Sequence, residues 1–247
     1  MLTPLTSTFS SAQIMMYWQY PEHGWSSKSY SQNGYTYEAN FAETTYNWGV
    51  MQKTYTEYVY NGTLAEQEVA KLLYHVGVAS KMNYDIIAHG GSGTSTIQAA
   101  RGMRDFFGYK ETSALFRTSY SDDDWETLVY NELYNKRPVL YSGTGEGGHA
   151  FVCDGYENGK FYINWGWGGE FNGSFLLTAT TTSTEKPLSP NGTGIGGGVV
   201  GSSYVDDQTI IVGLEPDPEY DGGLSLVEII MPNNGNYSMD EDFRIYY

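Results

Sequence analysis

His149 stands in a setting suited to chemistry: Gly147-Gly148 precedes it, and the apolar run Ala150-Phe151-Val152-Cys153 follows. Imidazole is the side chain whose ordinary pKa lets it take and return a proton near neutrality. Glycines ahead of it leave room for a peptide backbone to approach. Downstream lies Phe161-Tyr162-Ile163-Asn164-Trp165-Gly166-Trp167-Gly168-Gly169. The Asn164 carboxamide can accept from the ring's second N–H while the Trp165 indole keeps water off that bond, the logic of a Cys-His-Asn arrangement. The alternative is that Asn164 satisfies backbone groups at a strand end and that Trp165 and Trp167 are packing residues. The chain's single cysteine, Cys153, does not complete the set. It lies four residues beyond His149 on the same face of one strand, roughly 13 Å away by strand rise and outside hydrogen-bond reach. A buried packing cysteine is expected there.

Together these segments resemble the streptopain family of papain-like cysteine peptidases, in which a histidine enters a buried strand directly after a Gly-Gly pair. An Asn-Trp-Gly-Trp-Gly run closes over it in that family. Ala12-Gln13-Ile14-Met15, continuing through Tyr17 to Pro21 and Gly24, resembles the helix that carries the family's cysteine. The cysteine precedes that run by about two helical turns, a position held here by Thr6. The resemblance spans roughly residues 10 to 214. It implies an α+β, papain-like fold with a helical layer packed on a twisted antiparallel sheet, and hydrolysis of peptide bonds in proteins. His149, Asn164 and Trp165 take the catalytic positions it implies, and Gly148, Ser92, Trp167 and Gly196 the positions lining the substrate cleft. No cofactor and no metal are implied. The partners are a protein or peptide substrate and a propeptide or inhibitor protein, and the complete form is secreted or held at the cell surface.

The nucleophile breaks the pattern. A cysteine at a helix N-terminus gains from the dipole, which stabilises its thiolate. The hydroxyls of Thr6, Ser7, Ser10 and Ser11 titrate many units above neutrality and gain too little from the same placement. The chain is therefore expected to be an endopeptidase by descent that does not turn over, with a non-catalytic peptide- or inhibitor-binding protein as the alternative. The resemblance also implies a segment ahead of the cysteine, with a glutamine that serves the oxyanion, and the chain is expected to lack it. A late-started or shifted reading frame, or a decayed relative, accounts for that equally well.

The elements that position these residues are legible in part. Ser10 or Ser11 caps a helix running to about residue 20. Thr63 and Glu66 form a capping box ahead of Val69, Leu72, Leu73 and Val76, with Gly77 closing the helix. A third helix runs from about Ser95 to Phe107 and ends at Gly108. A fourth starts at Ser121, with Asp122, Asp123 and Asp124 against its positive end. After Pro138 the pattern turns to strands: Val139-Leu140-Tyr141, His149 to Tyr156, Phe161 to Trp165, Ser174 to Thr180 and Thr209 to Leu214. Asn158-Gly159 marks a type I′ hairpin turn. The glycine-rich stretch 190–198 resembles the mobile loop beside the family's cleft. Residues 1–215 read as the peptidase domain, 216–223 as a linker, and 224–247 as the start of a further β module.

With 247 residues, 40% of them hydrophobic, the chain can bury a full core. A formal net charge of −16 with 13 Lys and Arg speaks against nucleic acid and anionic membranes as partners. No apolar run approaches the ~20 residues that cross a bilayer, and no signal peptide is visible. Without a Cys/His cluster at ligand spacing there is no zinc motif.

Overall fold

The computed structural model describes residues 3–4, 6–55, 62–85, 92–145, 147–169, 171–178, 204–222 and 243–244. Helix α1 (Thr6–Trp18) begins inside the Ser/Thr cluster, one turn before the start that capping by Ser10 or Ser11 predicts. The hydroxyls are consumed elsewhere: Ser11 Oγ donates back to the Ser7 carbonyl at 2.8 Å, and Ser7 Oγ donates to the Thr94 carbonyl at 3.0 Å. Serines that bond within a helix or to a neighbour cannot terminate it. Helix α2 (Leu64–Ala79) opens on the expected Thr63/Glu66 capping box. It runs on through Gly77, where a Cβ would lie 2.1 Å from the Tyr84 hydroxyl, so that glycine answers a close contact and not a helix end. Helix α3 (Thr96–Phe107) is capped by Ser95 and ends at Gly108 in the left-handed region, φ 65°. Helix α4 (Asp122–Tyr134) is capped by Ser121 with three aspartates in its first turn.

Strand β1 (Thr3–Pro4) pairs with β4 (Gly93–Thr94). Strands β2 (Ser27–Gln32) and β3 (Tyr35–Asn40) form a hairpin around Asn33-Gly34, both with positive φ. The main sheet contains β5 (Ser113–Phe116), β6 (Val139–Thr144), β7 (Gly148–Glu157), β8 (Lys160–Asn164), β9 (Gly173–Phe175) and β10 (Asp206–Val212), in the order β5-β10-β6-β7-β8-β9. All neighbours are antiparallel, and β11 (Phe243–Arg244) lies on β7 beside Gly155 and Tyr156.

Alternation along the strands divides the core in two. Leu140, Val152 and Ile211 face α1, α2 and α3, where they meet Ile14, Met15, Leu72, Val76 and Met103. Tyr141, Phe151, Cys153, Ile163 and Trp165 point the other way, toward Trp125, Val129 and Leu133 of α4. The fold is thus α+β, with three helices on one face of a twisted antiparallel sheet and α4 on the other.

The stretch expected to be a linker runs along the domain surface. Asp217 N–H donates to the Gly108 carbonyl at 2.9 Å, Lys110 Nζ bonds Glu215 at 2.7 Å, and Tyr220 meets Trp25 edge-on with ring centroids 4.9 Å apart.

Candidate active site

His149 is the second residue of β7 and sits across from Gly143 of β6. Its ring points to the α4 side of the sheet, packed against Trp167 at 4.7 Å, Tyr204 at 5.1 Å, and Phe151 and Trp165 at 5.9 Å between centroids. Only 1% of the residue is exposed. The aromatic rings close over the imidazole on this face. Gly143 explains how Tyr204 comes so near, since a Cβ at that position would lie 2.2 Å from the Tyr204 carbonyl oxygen.

The ring's hydrogen bond among the described residues is at Nε2, 3.0 Å from the Trp165 backbone carbonyl. A carbonyl only accepts, so Nε2 carries the proton and Nδ1 holds the lone pair. Burial pushes the His149 pKa down to about 4, against which the carbonyl bond works in the opposite sense. At neutral pH the ring is uncharged.

The acceptor that the resemblance assigns to Asn164 is therefore supplied by the next residue's backbone. Asn164 Oδ1 accepts from Gly166 N–H at 3.0 Å and from Gln13 Nε2 of α1 at 3.2 Å, which is the strand-end role. The cause is one residue in the hairpin. Glu157 pairs with Lys160 and Gly155 with Tyr162, but Asp154 is skipped, so that Cys153 pairs with Ile163 and Val152 with Asn164. An uninterrupted ladder would set Asn164 opposite Cys153, on the histidine's face. The bulge moves it to the face of Val152 and brings Trp165 and Trp167 to the histidine. Trp165 is then fixed by its own bonds, with its amide donating to Asn172 Oδ1 at 3.0 Å and its indole N–H to the Phe171 carbonyl at 3.1 Å.

The remaining candidates are spread out. Gly148 opens β7, paired with Thr144. Ser92 lies beside β4, where its hydroxyl donates to the Asp85 carbonyl at 3.1 Å and accepts from the Asp85 amide at 3.0 Å. Its partner strand β1 leads directly into α1, so Ser92 belongs to the neighbourhood of the helix N-terminus. Thr6, which the resemblance puts at the nucleophile position, is the first residue of α1. Gly196 lies outside the described residues. Cys153 is fully buried, and burial next to the Asp154 carboxylate pushes its thiol well above the ordinary range. Among the described residues no cluster of His, Cys, Asp and Glu could hold a metal, and no helix is long and apolar enough to cross a membrane.

Sequence reasoning missed two participants. Gln13 was visible as a polar residue inside a helix that buries both flanking residues, Ala12 and Ile14. Tyr204 carried no signal beyond being an aromatic residue after a glycine-rich stretch.

Comparison with known proteins gives the chain's family. The chain is 34% identical over 218 residues to streptopain of Streptococcus pyogenes, covering 84% of this chain and 51% of that protein. It is 36% identical over 211 residues to the thiol protease/hemagglutinin PrtT of Porphyromonas gingivalis, covering 83% of this chain and 22% of that one. The chain thus spans about half the length of streptopain and less of PrtT. Its structure superposes on active interpain A cysteine protease of Prevotella intermedia with a TM-score of 0.71 at 30% identity, covering 86% of this chain and 84% of the other. Residues 4–175 match the model of the peptidase C10 family, a span that includes α1, His149 and the Asn-Trp-Gly-Trp-Gly run, and the chain belongs to that family.

Proposed function

We propose that this chain is a cysteine endopeptidase by descent, built to cleave peptide bonds in proteins outside the cell, and that it does not turn over. The observation that carries the reading is the state of Cys153. The only thiol is completely buried, its ionisation is suppressed, and it lies on the sheet and not at a helix N-terminus. Thr6, the first residue of α1, is an alcohol with a pKa many units above neutrality, and an imidazole whose own pKa burial lowers to about 4 is too weak a base to activate one. The family's reaction needs a thiolate paired with the imidazole, which then protonates the leaving amine. His149 retains the protonation pattern for that pairing, with Nε2–H held by a carbonyl and Nδ1 as the base.

The test is to incubate the protein with casein and with an epoxide that traps reactive thiols. Neither cleavage nor labelling is expected. In Thr6→Cys, labelling should appear at residue 6 and follow the ionisation of a thiol lowered by the helix N-terminus. Cleavage by the unaltered chain, or labelling of it at any residue, would overturn the proposal.

One observation favours a binding protein that has kept the site without the reaction. Trp167 Nε1 is buried with no hydrogen-bond acceptor among the described residues, a donor that a bound peptide carbonyl would satisfy. Calorimetry with a peptide aldehyde tests this: binding that is lost in Trp167→Phe supports it, and no heat for either protein removes it.

A further inference from the structure

Three hydrogen bonds join α1 to the imidazole across the thickness of the sheet. Gln13 Nε2 donates to Asn164 Oδ1 at 3.2 Å; the same oxygen accepts from Gly166 N–H at 3.0 Å; and His149 Nε2 donates to the Trp165 carbonyl at 3.0 Å. Gly166 N–H and the Trp165 carbonyl are the two ends of one peptide unit, which is planar and rigid. A hand on one end turns the other. The amide orientations follow without any view of the hydrogens. Gly166 N–H can only donate, so the Asn164 atom facing it is oxygen, and the Gln13 atom facing that oxygen is nitrogen.

Gln13 makes this contact at a cost. Its own Oε1 is buried without a hydrogen-bond partner among the described residues, a condition that penalises folding. An apolar residue of the same length would pack there with no such penalty. A residue kept in that state for packing alone has no physical rationale; one that orients a neighbour does.

We propose that Gln13 is a positioning residue for His149, acting through the Asn164 side chain and the Trp165–Gly166 peptide. It holds the Trp165 carbonyl where the ring must donate from Nε2, which leaves Nδ1 as the base. Bonds in such a chain polarise one another, so loss of the first weakens the last. The helix that carries the nucleophile position thereby also sets the tautomer of the base that would serve it. This inference rests on His149 being the imidazole of the site, as proposed above.

The experiment is two-dimensional NMR of ring nitrogens in the 15N-labelled protein, comparing the native chain with Gln13→Met, which matches glutamine in length and cannot donate. In the native chain His149 is expected as the Nε2–H tautomer alone. In the variant the Nδ1–H tautomer should become visible, and Nε2–H and Gly166 N–H should exchange with solvent about tenfold faster, the equivalent of one ordinary hydrogen bond. His75 is the internal control. It lies on α2, partly buried, held by the Tyr46 hydroxyl through Nδ1 at 2.8 Å and edge-on to Phe41 and Tyr46, and its signals should not move. A second variant, Gln13→Glu, should restore the single tautomer only at a pH low enough to protonate the new carboxyl. Unchanged His149 signals in Gln13→Met, or equal changes at His149 and His75, would overturn the proposal. No turnover is needed, so a Thr6→Cys protein that stayed unreactive would count against the proposed function and leave this inference standing.

Discussion

Two single residues carry sharp consequences. His149 is neutral in the folded protein, with its pKa pushed down to about 4, while the unfolded chain's histidine titrates near 6.5. Above pH 6.5 neither state binds the proton and stability is unaffected. As pH falls from about 6.5 to about 4 the unfolded state takes up a proton that the native ring refuses, so stability is lost across that window, by up to about 3 kcal/mol. His75, pushed down to about 4 by burial with Lys71 nearby, acts in the same direction. Urea unfolding at pH 7.0 and 4.5 checks this: the drop in midpoint should shrink in His149→Gln, and a drop of equal size in that variant would refute the assignment. Ser10 is the second case. Its hydroxyl is buried in α1 with no partner among the described residues. Ser10→Ala removes an unpaired polar atom without creating a cavity and should raise stability by about 1 kcal/mol; a lower urea midpoint would show that the hydroxyl has a partner after all. At this scale the sequence showed which residue types matter, His149 above all, but not their contacts. The expected Asn164 acceptor and the observed Trp165 carbonyl are adjacent in the chain, and residue type alone carries no information about which backbone oxygen a ring will meet.

Elements were legible where local rules decide them. The caps at Thr63, Ser95 and Ser121 and the turn at Asn158-Gly159 are present as side-chain chemistry and φ preference require. The hairpin of β2 and β3 had the same kind of signal in Asn33-Gly34, and β3 alternates Tyr35, Tyr37 and Ala39 with polar residues, but β2 is mostly Ser, Lys and Gln around one tyrosine and shows no such alternation. The bulge at Asp154 had no local signal, and it decides which side chains share a face with His149. Tyr204 is held over the ring by the absence of a side chain at Gly143, which makes a direct test. Gly143→Ala places a methyl group where the Tyr204 carbonyl now lies, so the segment must move off β6. Overpacking of this kind should cost about 1–3 kcal/mol. The more telling readout is the His149 titration: with its cover displaced, the pKa should climb from about 4 toward 6.5. A destabilised variant whose His149 pKa stays near 4 would mean that Trp167 and Trp165, and not Tyr204, enclose the ring.

The described residues are organised around one main sheet with a core on each side, and residues 215–222 cross the domain surface to tie distant parts together. Their acidic, proline-containing composition reads as a linker because a sequence pattern registers neither the partner of a backbone amide nor the face on which an aromatic ring will land. Here Asp217 reaches the end of α3 at Gly108, Glu215 meets both Lys110 and Arg137, and Tyr220 covers Trp25 while its hydroxyl donates to the Asp105 carbonyl at 3.1 Å. Exposed ion pairs contribute little by themselves. The backbone bonds and the aromatic pair supply most of the gain, together about 3 kcal/mol on ordinary values. For a chain of this size each kcal/mol moves the melting temperature by roughly 2–4 °C. A protein ending at Leu214 should therefore melt about 6–12 °C below one ending at Gly222, and Tyr220→Ala in the longer form should reproduce part of that loss. Equal melting temperatures for the two lengths would mean that the segment rests on the domain without holding it. The predicted loss would instead make 215–222 an integral edge of the peptidase domain, and a rigid point of departure for whatever the following residues build.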